Sequence, residues 1–308
     1  MEEWETEYLL SIGFTVRRYI AKGGFGIVYL VYSEQFQTEF AMKRIPEERF
    51  MEIEVEILKS LDNINILRLY NTFRYNHYVY LVMEFCPSDL SELIRDHDLT
   101  DLQLQKYCCD ILKAIKACHD NNIAHNDIKP SNFLIDRYGR LKCCDFGLSA
   151  VYDSNNPNLN FRGTMLYMAP EIFSKGKYNP LKADIWSIGV TFFIMAAHFY
   201  PFFAMEKENF IKIVKTGNYP MHEIKNLALR KIIIACLQLN PDCRPTVDEL
   251  LGYDFFKIDY GSPTPVFRAS LLAVPGKPII KPTLKKLNNQ PIRSKSTMRL
   301  RNMPIPVQ

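Results

Sequence analysis

Three polar residues in the stretch AHNDIKPSNFLI (124–135) are set among apolar neighbours: Asp127, Lys129 and Asn132 stand between Ala124, Ile128, Phe133, Leu134 and Ile135. A carboxylate, an ammonium and an amide in that company suit neither a solvated face nor a buried one. Asp127 could act as a general base or reach a metal through water. Asn132 offers an amide oxygen, a hard ligand for Mg2+, and Lys129 could neutralise a phosphate. Further along, LKCCDFGLSA (141–150) ends an apolar run on a second carboxylate, Asp145, well placed for a metal. Upstream, KGGFG (22–26) is a glycine-rich turn, through which backbone N–H groups can approach phosphates unobstructed. Lys43, flanked by Ala41 and Met42, needs an anion if its strand is buried, and Glu54 could supply one. Each has a plain reading when taken alone: a hairpin turn, ordinary turn residues, an i to i+4 surface charge for Glu54. Together, two carboxylates, an amide, two lysines and a glycine turn form a set for handling phosphates and Mg2+.

Local sequence predicts the elements that must position this set. FTVRRYI (14–20), IVYLVYS (27–33) and EFAMKRI (39–45) are β-branched and aromatic and predict strands. Phe50, Ile53, Ile57, Leu58 and Leu61 predict an amphipathic helix over 46–61. ILRLYNTF (66–73) and YVYLVMEF (78–85) predict two more strands. From 88 onward helical spacing dominates, and LQLQKYCCDILKAIKACH (102–119), without Gly or Pro, reads as one long helix. The expected organisation is an N-terminal extension over 1–13, a strand-rich lobe over 14–83, a link at 84–89 and a helical lobe over 90–257. The tail, 258–308, is rich in Pro, Ser and Thr and reads as disordered. No internal repeat is evident.

The 308 residues, 47% of them hydrophobic, suffice for one large or two small packed lobes. The net charge of +4 hides an asymmetry. Residues 261–308 carry nine Lys or Arg and no acid, which leaves 29 bases against 34 acids in residues 1–260. Such a tail could dock an acidic partner or a membrane surface, or inhibit the body; its plain reading is a solvated linker. No nucleic-acid partner is expected. The eight cysteines are scattered, without a C-x-x-C, and read as free thiols of a reducing, intracellular, cytoplasmic setting rather than disulfides or zinc ligands. MEEWETEY lacks the regions of a signal peptide. IGVTFFIMAAHFYPFFAM (188–205) raises a membrane span, but His198 and Pro201 interrupt it. The expectation is a buried helix ending before Pro201 and no transmembrane segment.

The order KGGFGIV, AMKRI, HNDIKPSN, DFG and APE (169–171), then DIWSIG (184–189) and CRP (243–245), resembles the catalytic domain of eukaryotic protein kinases of the serine/threonine type, over about 14–257. The resemblance implies an α+β bilobal fold: an N-lobe with a five-stranded antiparallel sheet and one helix, a mainly helical C-lobe, and ATP with Mg2+ between them. It implies that Ala21, Gly23, Gly24 and Gly26 form the turn over the phosphates. Lys43 would hold the α- and β-phosphates and pair with Glu54. Val28 and Ala41 would cover the adenine, with Phe133 or Leu134 below it. Met83 would be the gatekeeper, Glu84 and Cys86 would offer backbone groups to the base, and Asp89 would touch the ribose. Asp127 would orient and deprotonate the acceptor hydroxyl of a protein substrate, Lys129 would meet the γ-phosphate, and Asn132 and Asp145 would bind Mg2+. Thr164 would support a serine or threonine acceptor near Asp127, and Glu171 would pair with Arg244. Asp184 would brace the catalytic-loop backbone, its plain reading being the N-cap of a helix from 185. Calmodulin-dependent and NIMA-related kinases are the most similar groups, although the tail shows no calmodulin-binding helix.

Several positions depart from the family pattern. Asn126 stands where most such kinases carry the Arg that binds an activation-loop phosphate, and Ala150 where a second base often lies. NNPNLNFRG (155–163) contains no Ser, Thr or Tyr, so receptor and phosphate site are missing together. The expectation is a kinase that needs no phosphate on this loop, with Ser149, Tyr152, Ser154 and Thr164 as remaining sites. Ala21 replaces the first glycine of the turn, which predicts weaker nucleotide binding if that position requires positive φ. Ser131 replaces the Glu of many basic-directed kinases, so no preference for upstream Arg is assigned. A catalytically weak pseudokinase scaffold is the alternative that Ala21 and Asn126 favour. A small-molecule phosphotransferase is a third reading, opposed by the peptide-docking look of GTMLYMAPE (163–171).

Overall fold

Side-chain alternation along three strands gives the N-lobe two different faces. The structure is a computed structural model and describes residues 3–23, 26–152, 163–174 and 176–260. Helix α1 (Glu3–Ser11) leads into strands β1 (Phe14–Gly23), β2 (Gly26–Ser33) and β3 (Thr38–Pro46), then helix α2 (Glu52–Ser60) and strands β4 (Leu69–Tyr75) and β5 (Tyr78–Glu84). The strands form one antiparallel sheet in the order β1-β2-β3-β5-β4. Because successive strand residues point to opposite faces, Tyr29, Val31, Phe40, Met42, Tyr80 and Val82 collect on one side with Leu9 of α1. Ile45, Val79, Leu81 and Met83 collect on the other with Val55 of α2. The second face borders the cleft. Asn76 and His77, both at positive φ, turn β4 into β5.

The sheet and α2 follow the expectation, although α2 begins only at Glu52, after a short 3-10 turn over Glu47–Arg49. The residues before β1 add a second N-lobe helix. Trp4 and Tyr8 lie one turn apart on α1, and their rings pack against Tyr75 at 5.8 Å and 3.5 Å between centroids.

The C-lobe begins with β6 (Ser88–Asp89), α3 (Leu90–Asp96) and α4 (Asp101–His119), followed by β7 (Ile123–Ala124), β8 (Phe133–Ile135), β9 (Leu141–Cys143) and β10 (Ala150–Val151). Helices α5 (Pro180–Ala197), α6 (Lys207–Thr216), α7 (Leu227–Cys236) and α8 (Val247–Leu251) complete it. A capping box starts α4: Gln103 N–H donates to Thr100 Oγ1 while Thr100 N–H donates to Gln103 Oε1. Asn179 caps α5, accepting from Leu181 and Lys182 N–H, and Pro180 occupies its first turn. The helix therefore starts upstream of Asp184, which is not its N-cap. Helix α5 is long and apolar enough to cross a bilayer, but 67% of it is buried inside the lobe. It reads as a core helix, and it ends before Pro201 as expected.

Gly189 lets α5 and α7 touch: a Cβ there would come within 2.6 Å of Cys236 Cβ and 2.9 Å of Leu237. Gly189→Ala is expected to cost about 1–3 kcal/mol by overpacking. A urea midpoint equal to the wild type would show that α7 yields without cost. The cysteines are unpaired, with Cys108, Cys118, Cys143 and Cys236 buried and Cys243 exposed. Gly24, Ser154, most of NNPNLNFRG and the basic tail from 261 lie outside the described residues.

Candidate active site

Two short ladders hold the catalytic loop. Phe133 pairs with Cys143 between β8 and β9, and Ala124 pairs with Ala150 between β7 and β10. Cys144 N–H donates to Asn132 O at 2.9 Å, so Asp145 departs from a backbone already tied to Asn132. Asp184 braces the loop from below. Its Oδ2 accepts from His125 N–H at 2.8 Å and its Oδ1 from Asn126 N–H at 2.9 Å, while His119 Nε2 lies 3.0 Å from Oδ2.

Within that frame Asp127 is fully engaged. Its Oδ1 accepts from Thr164 N–H at 3.0 Å and from Thr164 Oγ1 at 2.8 Å. Its Oδ2 accepts from Asn132 Nδ2 at 3.0 Å and lies 2.8 Å from Lys129 Nζ. Burial would raise the Asp127 carboxyl, but the Lys129 ammonium and the Lys129 and Thr164 hydrogen bonds outweigh it and hold it below the ordinary value. The group is an anion throughout the neutral range.

Across the cleft, Lys43 Nζ lies 2.6 Å from Glu54 Oε1 and 3.8 Å from Asp145 Oδ1. Glu54 is buried, so this is not a surface pair. Burial works against the Lys43 ammonium, yet Glu54 and Asp145 more than compensate and raise its pKa above the usual lysine value. Asp145 sits at φ 63°, a left-handed residue ahead of the buried Phe146.

The remaining predicted positions that are described stand on β1, β2, β3, β5, β6 and β8 and on the link after β5. Gly23 and Gly26 face each other where β1 meets β2, and Ala21 pairs with Val28 in that ladder. Ala21 is not among the described residues at positive φ, so the strain that this substitution might carry does not arise. Ala41 pairs with Met83, and Met83, Cys86 and Leu134 belong to one apolar cluster. Phe133 instead lies in the C-lobe core, whereas Leu134 packs with Met83 and Cys86. The Glu84 N–H donates to Arg68 O at 2.9 Å, so any backbone contact it makes to a base must use its carbonyl. Its carboxylate pairs with the buried Lys142 at 3.0 Å. Asp89 Oδ1 caps α3 by accepting from Glu92 N–H at 2.9 Å and also accepts from Ser91 Oγ.

The donor set fits Mg2+. Asp145 Oδ1 is buried without a hydrogen-bond partner. Asn132 spends its Nδ2 on Asp127, so its amide oxygen remains as a ligand. One carboxylate and one amide, completed by substrate phosphates and water, is the usual protein share of such a site. No group of three or more His, Cys, Asp or Glu suited to a metal occurs among the described residues, which is consistent with a site finished by phosphates. A cavity of about 310 Å³ beside His119, Asn179 and Asp248 includes none of Lys43, Asp127, Asn132 and Asp145 in its lining.

Sequence reading missed three contributors. His125 is buried, accepts from Asp127 N–H through Nδ1 at 3.3 Å and holds Cys144 O through Nε2 at 3.1 Å. Lys142 and Glu5 are the others. An isolated His in an apolar run and an acid in an acidic segment give no local cue.

A two-lobed fold with paired lysines, carboxylates and an amide in its cleft defines a phosphate-handling protein. The model of the protein kinase domain matches residues 14–256. The chain is 31% identical over 258 residues to "Probable serine/threonine-protein kinase MARK-A" of Dictyostelium discoideum, covering 78% of this chain and 24% of that protein. It is 29% identical over 256 residues to "CBL-interacting serine/threonine-protein kinase 19" of Arabidopsis thaliana, covering 79% and 53%. It is 30% identical over 275 residues to "Serine/threonine-protein kinase KIC1" of Saccharomyces cerevisiae, covering 86% and 26%. The chain belongs to the protein kinase family. It spans between a quarter and about half of the length of these curated relatives.

Proposed function

We propose that this chain is an active protein serine/threonine kinase that uses ATP and Mg2+. The observation that carries the reading is the contact between lobes: Lys43, paired with Glu54, lies 3.8 Å from Asp145, whose preceding residue is tied to Asn132, and Asn132 in turn joins Asp127, Lys129 and Thr164. Lys43, fixed by Glu54, binds the α- and β-phosphates. Asp127 orients the acceptor hydroxyl and takes its proton as the oxygen bonds to the γ-phosphorus and the bond to ADP breaks. Lys129 neutralises charge on the phosphoryl group, and Thr164 holds Asp127 in place on the acceptor side. Asn132 and Asp145 hold Mg2+, which supplies charge neutralisation of the phosphate oxygens. Ala41, Val28, Met83 and Leu134 enclose the adenine. The test is transfer of radiolabelled γ-phosphate to a generic protein substrate, with Asp145→Asn as control. Transfer by the wild type and none by the variant supports catalysis; equal, negligible labelling by both assigns the chain to a scaffold role.

We further propose that activity does not require a phosphate on the activation loop. Asn126 stands at φ 66° and its Nδ2 donates to Leu148 O at 3.0 Å, so an uncharged contact ties the catalytic loop to the start of this segment. Tyr152 N–H donates to Asn122 O at 2.7 Å and extends the β7–β10 ladder. Ser149 is buried, with Oγ donating to His125 O, and Thr164 is held by Asp127 and Lys129. Neither is presented to another kinase. Phosphatase treatment is expected to leave kcat unchanged, and a large loss traced to loop residues would refute the claim.

A further inference from the structure

Glu5 of α1 is a carboxylate with no exposed surface. Its Oε2 lies 2.5 Å from Arg44 Nη1, and its Oε1 accepts from Tyr80 OH at 2.9 Å. A buried carboxylate is costly unless paired, and its pairing fixes register more firmly than ring stacking does. Trp4 and Tyr8 would tolerate sliding over the aromatic face, whereas Glu5 allows α1 one seat. That seat is on β3, one residue from Lys43. Arg44 and Lys43 are consecutive and so project to opposite faces of the sheet, towards α1 and towards the cleft. Gly26 also lies close against the backbone of Arg44: a Cβ there would run into the Arg44 carbonyl oxygen. Arg44 pairs with Ile27 on β2 and with Tyr80 on β5. One residue thus joins the α1 contact, the close approach of Gly26 and the peptide unit that carries Lys43.

We propose that Glu5 is a positioning residue for the nucleotide site, and that α1 is a strap whose docking on Arg44 sets Lys43 and Gly26. The proposal rests on the reading of the cleft as an ATP site. A nine-residue helix is marginal alone in water, so docking is an equilibrium. Linkage is reciprocal: if docked α1 favours nucleotide binding, bound nucleotide favours docked α1.

Two measurements test this in the full chain. Glu5→Gln keeps the shape and removes the charge. It is expected to raise KM for ATP about tenfold, with kcat at saturating ATP close to the wild type. A lower Tm with unchanged KM would reduce Glu5 to a stability role and overturn the proposal. In the wild type, amide hydrogen exchange of Glu3–Ser11 is expected to slow about tenfold when a non-hydrolysable ATP analogue and Mg2+ are added. Identical exchange with and without the analogue overturns the strap even if the variant cannot be purified. A wild type that does not bind the analogue removes the ATP reading and the strap together. Equal analogue binding by wild type and Glu5→Gln removes the strap alone.

Discussion

Asp127→Asn is expected to lower kcat by about 10²–10⁴-fold while KM for ATP stays near the wild type. The loss has two sources. The base itself is gone, and the new amide cannot satisfy its neighbours. In the wild type both Lys129 Nζ and Asn132 Nδ2 point donors at Oδ2 of Asp127. An Asn would either meet them with a third donor or turn its NH2 towards Thr164. Steady-state kinetics with a generic substrate and a Tm measurement separate the chemistry from any unfolding. A kcat within tenfold of wild type would place the proton acceptor elsewhere. The native carboxyl is depressed below the ordinary value, so its stabilising share is complete above that value and is lost as pH falls through the native pKa. Between about pH 5 and 9 Asp127 therefore contributes no step to the kcat profile.

The second large effect lies at the Glu171–Arg244 pair. Arg244 is buried, and its guanidinium donates to Glu171 Oε1 and Oε2 at 2.6 Å and 2.8 Å, to Lys182 O at 2.8 Å and to Gln238 O at 2.9 Å. It also lies over the Trp186 ring at 5.1 Å. Glu171→Ala strands that cation and is expected to cost about 3–5 kcal/mol, read from urea unfolding. Replacing both residues, as Glu171→Leu with Arg244→Met, is expected to recover part of the loss, because two apolar groups leave no unpaired charge. A double variant no more stable than the single one would show that the carbonyl contacts of Arg244, not its pairing with Glu171, carry the energy.

The chemistry was legible because phosphate and Mg2+ restrict residue type strongly: Lys43, Asp127, Lys129, Asn132 and Asp145 each have a plain reading alone, and their order and combination carry the reading. The strands were legible from β-branched and aromatic runs, and α4 from an unbroken helical stretch. Of the two readings of Asp184, the plain one as an N-cap does not hold, because Asn179 and Pro180 fill that role, and Asp184 turns inward to the backbone of His125 and Asn126 as the resemblance implies. The choice between Phe133 and Leu134 could not be made from composition, since both are apolar; only strand alternation in β8 sends Phe133 to the C-lobe core and Leu134 to Met83 and Cys86. Helix α1 escaped notice because its acids look solvated. Its stability depends on contacts from Glu5 to Tyr80 and Arg44, which are distant in sequence and leave no local periodic pattern.

The Glu171–Arg244 pair also bears on synthesis. The two partners lie 73 residues apart, and Arg244 comes close to the end of the matched domain. A nascent polypeptide that has left the ribosome as far as α7 already holds every group assigned to the nucleotide, yet its Glu171 has no guanidinium to meet. Premature termination between the end of α7 and Arg244 would yield a product that carries every group assigned to the nucleotide but lacks the guanidinium that holds Glu171. The anchor thus delays competence until translation of the lobe is nearly finished.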